Sequence, residues 1–203
     1  MSIVSENTRD RIFREAVMLF AEKGFHGTSM RDLAARVGIK ESSVYNHFKG
    51  KESILDAILE YQMNGFNEAR ESIDKSRMPL DHVTDPVEFW LAGASVFLGN
   101  LPELNQAVSI ILMNEMFLNA KCRDFYLHTI RPVQKSLTLT ILTAMKEKGM
   151  ISEPDLETAA EQYVYFLEGI NIEHRLLLMN GSTREELNAK LFEHLSFFIR
   201  KLV

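Results

Sequence analysis

Residues 28–51 read TSMRDLAARVGIKESSVYNHFKGK, and this stretch decides the fold. Ser29 followed three residues later by Asp32 forms a capping box, which starts a helix by satisfying its free N–H groups. Leu33, Ala34 and Val37 give that helix an apolar face. Gly38 closes it, because glycine takes the left-handed conformation a helix end requires. A second short helix is predicted from about Lys40 to Phe48. Val44 and Phe48, one turn apart, face inward, and Ser42, Ser43, Tyr45, Asn46 and His47 stay on or near the exposed side. Helix, glycine turn, helix is the pattern of a helix-turn-helix, whose second helix can enter a DNA major groove.

Outward from this stretch, helical spacing continues in both directions. Ile12, Ala16, Leu19 and Phe20 mark a helix over 8–23, with Phe13 and Val17 widening its stripe, Asn7 or Thr8 as cap and Gly24 as its end. A longer amphipathic helix starts near Glu52 on Ile54, Leu55, Ile58 and Leu59 and runs to about residue 74. Residues 76–85, with Pro79, read as a linker. Further helices are predicted near 86–99, 102–118, 121–148 with a bend at Pro132, 155–179 and 183–202. No repeat, low-complexity tract or convincing strand interrupts them. The expected fold class is all-α.

The 203 residues suffice for one or two domains with a sizeable core. The net charge of −5 is unevenly spread. Residues 1–60 hold nine Lys or Arg against nine Asp or Glu, while the rest holds 14 against 19. Within Lys23–Lys51 the count is six basic to two acidic. A local positive patch on an acidic chain attracts phosphate at one place and opposes wrapping along nucleic acid. A single cysteine, Cys122, excludes an internal disulfide and a CxxC pair. No apolar run is long enough for a membrane helix, and the N-terminus lacks the charged and apolar regions of a signal peptide. These features lead us to expect a cytoplasmic protein with no membrane partner.

Ala16-x-x-Leu19-Phe20-Ala21-Glu22-Lys23-Gly24-Phe25, Thr28-Ser29-Met30-Arg31-Asp32-Leu33-Ala34, Gly38-Ile39 and Val44-Tyr45-x-His47-Phe48-x-x-Lys51-Glu52-x-x-Leu55 together resemble the tetracycline-repressor (TetR) family of bacterial and archaeal transcriptional regulators. The motifs cover about the first 60 residues, and the rest matches only in being helical and acidic. The resemblance implies an N-terminal three-helix helix-turn-helix DNA-binding domain, residues 1–51. A larger C-terminal helical ligand-binding and dimerisation domain, residues 52–203, would follow, with the helix from about 52 connecting the two. One position departs. Similar proteins often carry a small capping residue after Gly38-Ile39, whereas this chain has Lys40, which cannot accept the capping bond but can reach a phosphate or a base.

The side chains then divide by chemistry. Lys40, Glu41, Ser42, Ser43 and Asn46 are candidates for base edges, since Asn pairs with adenine, Glu accepts from cytosine and Lys donates to guanine. Tyr45, His47 and Lys51 match the family's phosphate contacts, and Thr28 and Arg31 are expected at the flanking backbone. Taken singly, each has a plainer reading: a serine pair bonds locally, Tyr45 is a half-buried aromatic and His47 a solvated imidazole. The resemblance also implies a homodimer on a palindromic operator, because one three-helix unit reads few base pairs. Apolar stripes place the dimer surface on the last two helices, at Tyr163, Leu167, Ile170 and Leu177, and at Leu187, Leu191, Leu195, Phe198 and Leu202, with Gly169 permitting close approach. The same stripes can also pack within one chain.

Large adaptable apolar residues fill the middle helices and are candidates for an effector pocket: Phe89, Trp90, Phe97, Met113, Met116, Phe117, Phe125, Tyr126 and Phe166. Asn114, His128, Tyr163, Asn171 and His174 would supply its polar groups. At helical spacing such residues also read simply as core. The expected function is a ligand-responsive transcriptional regulator. It would repress from double-stranded operator DNA and be released by a small, largely apolar or amphipathic effector, with no cofactor and no metal. An enzyme is the competing class, but the six histidines are scattered, with no HExxH, P-loop or GxGxxG. Glu168 to His174 could place Glu and His on one helix face, but a lone helical pair is usually solvent-facing or satisfied within the core. A helical protein-interaction module without DNA binding is the other alternative.

Overall fold

The computed structural model describes residues 7–72, 85–91 and 102–203. The described residues are helical, with no strand among them. The elements are α1 (Thr8–Lys23), α2 (Met30–Val37), α3 (Glu41–Tyr45), α4 (Lys51–Ser72), α5 (Glu103–Leu118), α6 (Ala120–Phe125), α7 (Arg131–Glu147), α8 (Leu156–Met179) and α9 (Arg184–Leu202). Residues 86–91 are also helical. Most of the expected linker and the rest of the helix expected over 86–99, including Phe97, lie outside the described residues.

The caps follow the sequence closely. Asn7 accepts from the Asp10 N–H at the start of α1, and Ser29 and Asp32 form both bonds of the capping box on α2. Gly38 sits at φ +76°, in the left-handed region, and its N–H donates to Ala34 and Ala35 carbonyls. α3 is shorter than expected. It is helical only over Glu41–Tyr45, and a turn carries the chain through Asn46 and His47 before Phe48 packs inward. α6 and α7 run on through a wide turn at Tyr126–Ile130, where the spacing is that of a π-helix. Pro132 lies just beyond. Its ring lacks an N–H and crowds the carbonyl four residues back, so widening the preceding turn accommodates it without breaking the run.

The chain packs as two units. The first comprises residues up to Asn67 together with Pro102–His128; the second comprises Glu68–Leu101 and Thr129–Val203. Compactness therefore divides the chain differently from the functional boundary expected at 51/52. α5 packs against α1, and Ala107, Val108, Ile111 and Leu112 are buried in the same unit as Ile12, Val17, Phe20, Leu33, Val44, Phe48 and Ile58. Phe20 meets Phe25 edge-on at 5.2 Å. The Tyr61 hydroxyl donates to Asn105 at 2.7 Å, and Lys121 pairs with Asp56. Glu115, on α5, is buried, with one carboxylate oxygen 3.5 Å from His26 Nε2 in the α1–α2 loop. Nearby, burial first, and then the Glu115 and Glu52 carboxylates, push the Cys122 thiol up to about 11.

In the second unit α7, α8 and α9 pack side by side around Trp90, Leu142, Met145, Ala160, Tyr163, Leu191, Leu195 and Ile199. Charged pairs zip α7 to α8: Arg131 with Glu161 and Glu168, and Lys135 with Glu157. The Arg131 guanidinium also lies over the Tyr165 ring at 4.4 Å. A second capping box, Thr183 with Glu186, starts α9. The N–H groups of Ser152 and Glu153 donate to the Leu202 carbonyl and close its far end.

Candidate nucleic-acid interface

α2 and α3 are joined by a left-handed Gly38, and Val44 and Phe48 anchor the second helix by burial. That anchoring fixes which side chains face out. Lys40, Glu41, Ser42, Tyr45, Asn46 and His47 are exposed, and Ser43 is partly so. Tyr45 is 47% exposed, too open for a core aromatic. Lys40 occupies the N-cap of α3, makes no side-chain cap bond and is exposed, so its ammonium is available to an anion. Arg31 is exposed in the first turn of α2. One face thus gathers acceptors, donors and an aromatic hydroxyl on a helix too short to be useful as a structural strut.

Two expected contacts are placed differently. Thr28 is buried, and its hydroxyl donates to the Gly24 carbonyl at 3.0 Å, bracing the end of α1. A hydroxyl so committed cannot also serve a phosphate, so Thr28 braces the motif and its side chain is not part of the exposed face. Lys51 donates to the Phe25 carbonyl at 2.8 Å, with its ammonium 4.9 Å from the Phe25 ring centre. Its first role is to hold the α1–α2 loop, and at most a remaining donor faces outward. Arg36, counted in the positive patch, is tied to Glu15 at 3.0 Å and to Glu22 at 3.0 Å, so its charge is locally balanced. Lys23, Arg31, Lys40 and Lys49 are left as the exposed cations of that stretch. The Ser29 hydroxyl and then its backbone N–H hold the Asp32 carboxyl below its usual range, which keeps the capping box formed in mild acid.

The candidate pocket residues also sort by burial. Trp90 and Tyr163 meet edge-on at 4.6 Å, and Tyr163 also touches Phe166 and Phe198. With Phe89 packed against the same cluster, these candidate pocket aromatics fill core space. Met113, Met116, Phe125 and Tyr126 are partly buried in the first unit, while Asn114, Phe117 and His128 are exposed there and Asn171 in the second. His174 is buried, and burial pushes its imidazole pKa down. The structure therefore brings together Phe89, Trp90, Tyr163 and Phe166 and buries His174 in the same unit, whereas Met113, Asn114, Met116, Phe117, Phe125, Tyr126 and His128 belong to the first unit and Asn171 is on the surface.

The expected dimer stripe requires a correction. Tyr163, Ile170, Leu187, Leu191, Leu195 and Leu202 are buried in the core of their own chain, and Leu167 and Phe198 pack against it. Leu177 is partly buried. A side chain already covered has little left to bury against a partner. Among the described residues, apolar side chains that remain exposed elsewhere on the same two helices include Ile172, Leu176 and Met179 on α8, and Phe192 and Phe197 on α9. Residues 172, 176 and 179 follow helical spacing on one face, and the exposed Gly169 lies one turn before them. Among the described residues no helix is long and apolar enough to cross a membrane.

Residues 12–58 match the family described as bacterial regulatory proteins, tetR family. The repressor KstR2 of Mycolicibacterium smegmatis is 32% identical over 77 residues, 37% of this chain and 38% of that protein. IcaR of Staphylococcus aureus, a negative regulator of a biofilm operon, is 46% identical over 48 residues, 24% of this chain and 26% of its own. The chain thus aligns with well under half the length of these curated relatives. Solved structures extend the likeness in shape. PfmR from Thermus thermophilus, described as a TetR family transcriptional regulator, is 27% identical with TM-score 0.64 over 94% of this chain and 98% of that one. GusR of Salmonella enterica gives TM-score 0.68 at 21% identity over 98% and 100%, a likeness of fold.

Proposed function

Because this chain belongs through its helix-turn-helix region to the TetR family of bacterial regulatory proteins, we propose that it is a ligand-responsive repressor acting on duplex DNA. The observation that carries the reading is the exposed set Lys40, Glu41, Ser42, Tyr45, Asn46 and His47 on α3 and its flanking turns, pinned by buried Val44 and Phe48. Lys40, Glu41, Ser42, Ser43 and Asn46 read base edges, while Tyr45, His47 and Arg31 hold the backbone. Two copies pair through the exposed faces of α8 and α9 and present two such helices to a palindrome. A small, largely apolar or amphipathic effector favours the conformation in which those helices are wrongly spaced. It lowers DNA affinity by its preference for that state. α4 connects reader and regulatory region along the chain and is the lever.

Selection of bound duplexes from a random pool tests the reading. The expected outcome is a palindromic consensus bound with a steep salt dependence. Tyr45→Ala then weakens binding to every sequence, while Asn46→Ala changes the preferred bases. Retention of duplexes without a consensus, or insensitivity to salt, would refute it. The selected duplex then serves to screen small molecules for release.

A further inference from the structure

We propose that Arg9 is an additional phosphate contact of this interface, held in place by Phe48; the inference rests on the DNA-binding reading above. Arg9 lies in the first turn of α1, far from the helix-turn-helix in sequence, and none of the motif residues points to it. In the fold its guanidinium carbon is 4.9 Å from the centre of the Phe48 ring. Phe48 is buried, its N–H donates to the Val44 carbonyl at 2.9 Å, and its chain neighbours His47 and Lys49 are exposed. The ring therefore fixes the Arg9 head group at the outgoing end of α3, beside two groups that face solvent.

The chemistry favours an external anion. A guanidinium over a ring uses its positive charge there but spends none of its five N–H donors. Among the described residues no carboxylate pairs with Arg9 and no acceptor takes its donors. Arg36 in the same unit shows the contrast, since Glu15 and Glu22 occupy its fork. Arg9 is exposed, and a phosphodiester offers the paired oxygens its fork fits. The ring also restricts the side chain before DNA arrives, which reduces what is lost on ordering it. Arg9 and Lys49 together supply at the end of α3 the cationic grip that Lys51, turned to the Phe25 carbonyl, gives only in part.

The test compares the full-length protein with Arg9→Gln and Arg9→Lys, binding both the duplex selected by the wild type and an unrelated duplex across a salt series. Arg9→Gln is expected to weaken both complexes by about tenfold. It should also reduce the slope of log affinity against log salt by about 1.8, the value of two phosphate contacts, one from each copy of the proposed dimer. Arg9→Lys should retain most of the slope. Thermal melting of the free proteins controls for loss of the Phe48 contact: a variant that melts earlier but keeps the wild-type salt slope gives Arg9 a purely structural role and overturns the proposal. A changed base preference with an unchanged slope assigns it to a groove edge and also overturns it. Wild-type protein that binds neither duplex removes the DNA-binding reading itself, and Arg9's role with it.

Discussion

Lys51 and Thr28 carry the same lesson. Both sit where a phosphate contact was expected, and both spend polar atoms on the backbone of the α1–α2 region. Residue type and spacing placed them in the motif but could not show which way a hydroxyl or an ammonium turns, because that depends on carbonyls brought near by folding. Arg9 is the converse case, a residue outside the motif whose place appears only when Phe48 comes under it. Lys51→Ala should accordingly lower stability by about 1–2 kcal/mol through the orphaned carbonyl. Tyr45→Ala, removing an exposed ring, should leave the melting temperature nearly unchanged; thermal unfolding of the two variants checks this. His174 gives a pH prediction. Its folded pKa is depressed by burial from the ordinary 6.5, so the unfolded chain takes up a proton first as pH falls. The neutral imidazole's contribution is complete above about pH 6.5 and is lost as the pH drops from there through the lower folded value. Melting temperature should fall between about pH 7.5 and about pH 5.5, and His174→Gln should flatten that slope.

At the level of elements, helical spacing and caps were legible almost throughout. Asn7, the Ser29–Asp32 capping box, Gly38 and the buried faces of α1 to α4 stand where the sequence put them, while the Thr183–Glu186 box that starts α9 is seen only in the structure. What spacing cannot tell is what lies across from a stripe. α8 and α9 are apolar on more than one face, and the aliphatic run Leu187, Leu191, Leu195 and Leu202 looks like an interface when read alone. In the fold α8 and its neighbours claim that run, and the exposed residues are the bulkier Phe192 and Phe197. α3 ended early because Asn46 and His47 begin the turn that Phe48 needs in order to reach the core. The α2–α3 angle rests on Gly38: a Cβ there meets nothing within 4 Å, so the cost of substitution is conformational alone. Gly38→Ala should therefore destabilise by about 1–2 kcal/mol and weaken DNA binding by misdirecting α3, measured by denaturant unfolding and duplex titration.

For the whole molecule, the proposed pairing of chains separates cleanly from folding. Phe197 is 66% exposed, whereas Leu195, two residues before it, is fully buried. Phe197→Glu should leave each chain folded while converting the dimer to monomer in sedimentation and reducing affinity for a palindrome. Leu195→Ala should instead cost about 2–5 kcal/mol of stability by opening a cavity. A folded dimer of Phe197→Glu would place the interface elsewhere.

The packing of α5 on α1 bears finally on how such a protein can be recombined. The helix-turn-helix proposed to read DNA is continuous in sequence, but the unit that supports it is not, since residues 102–128 return to complete it after an intervening segment. A single crossover after α4 would strip α1 of the helix packed against it and leave the Tyr61–Asn105 and Asp56–Lys121 pairs without a member. Grafting a different C-terminal region onto this helix-turn-helix therefore requires two junctions, with α5 and α6 inherited together with α1 to α4.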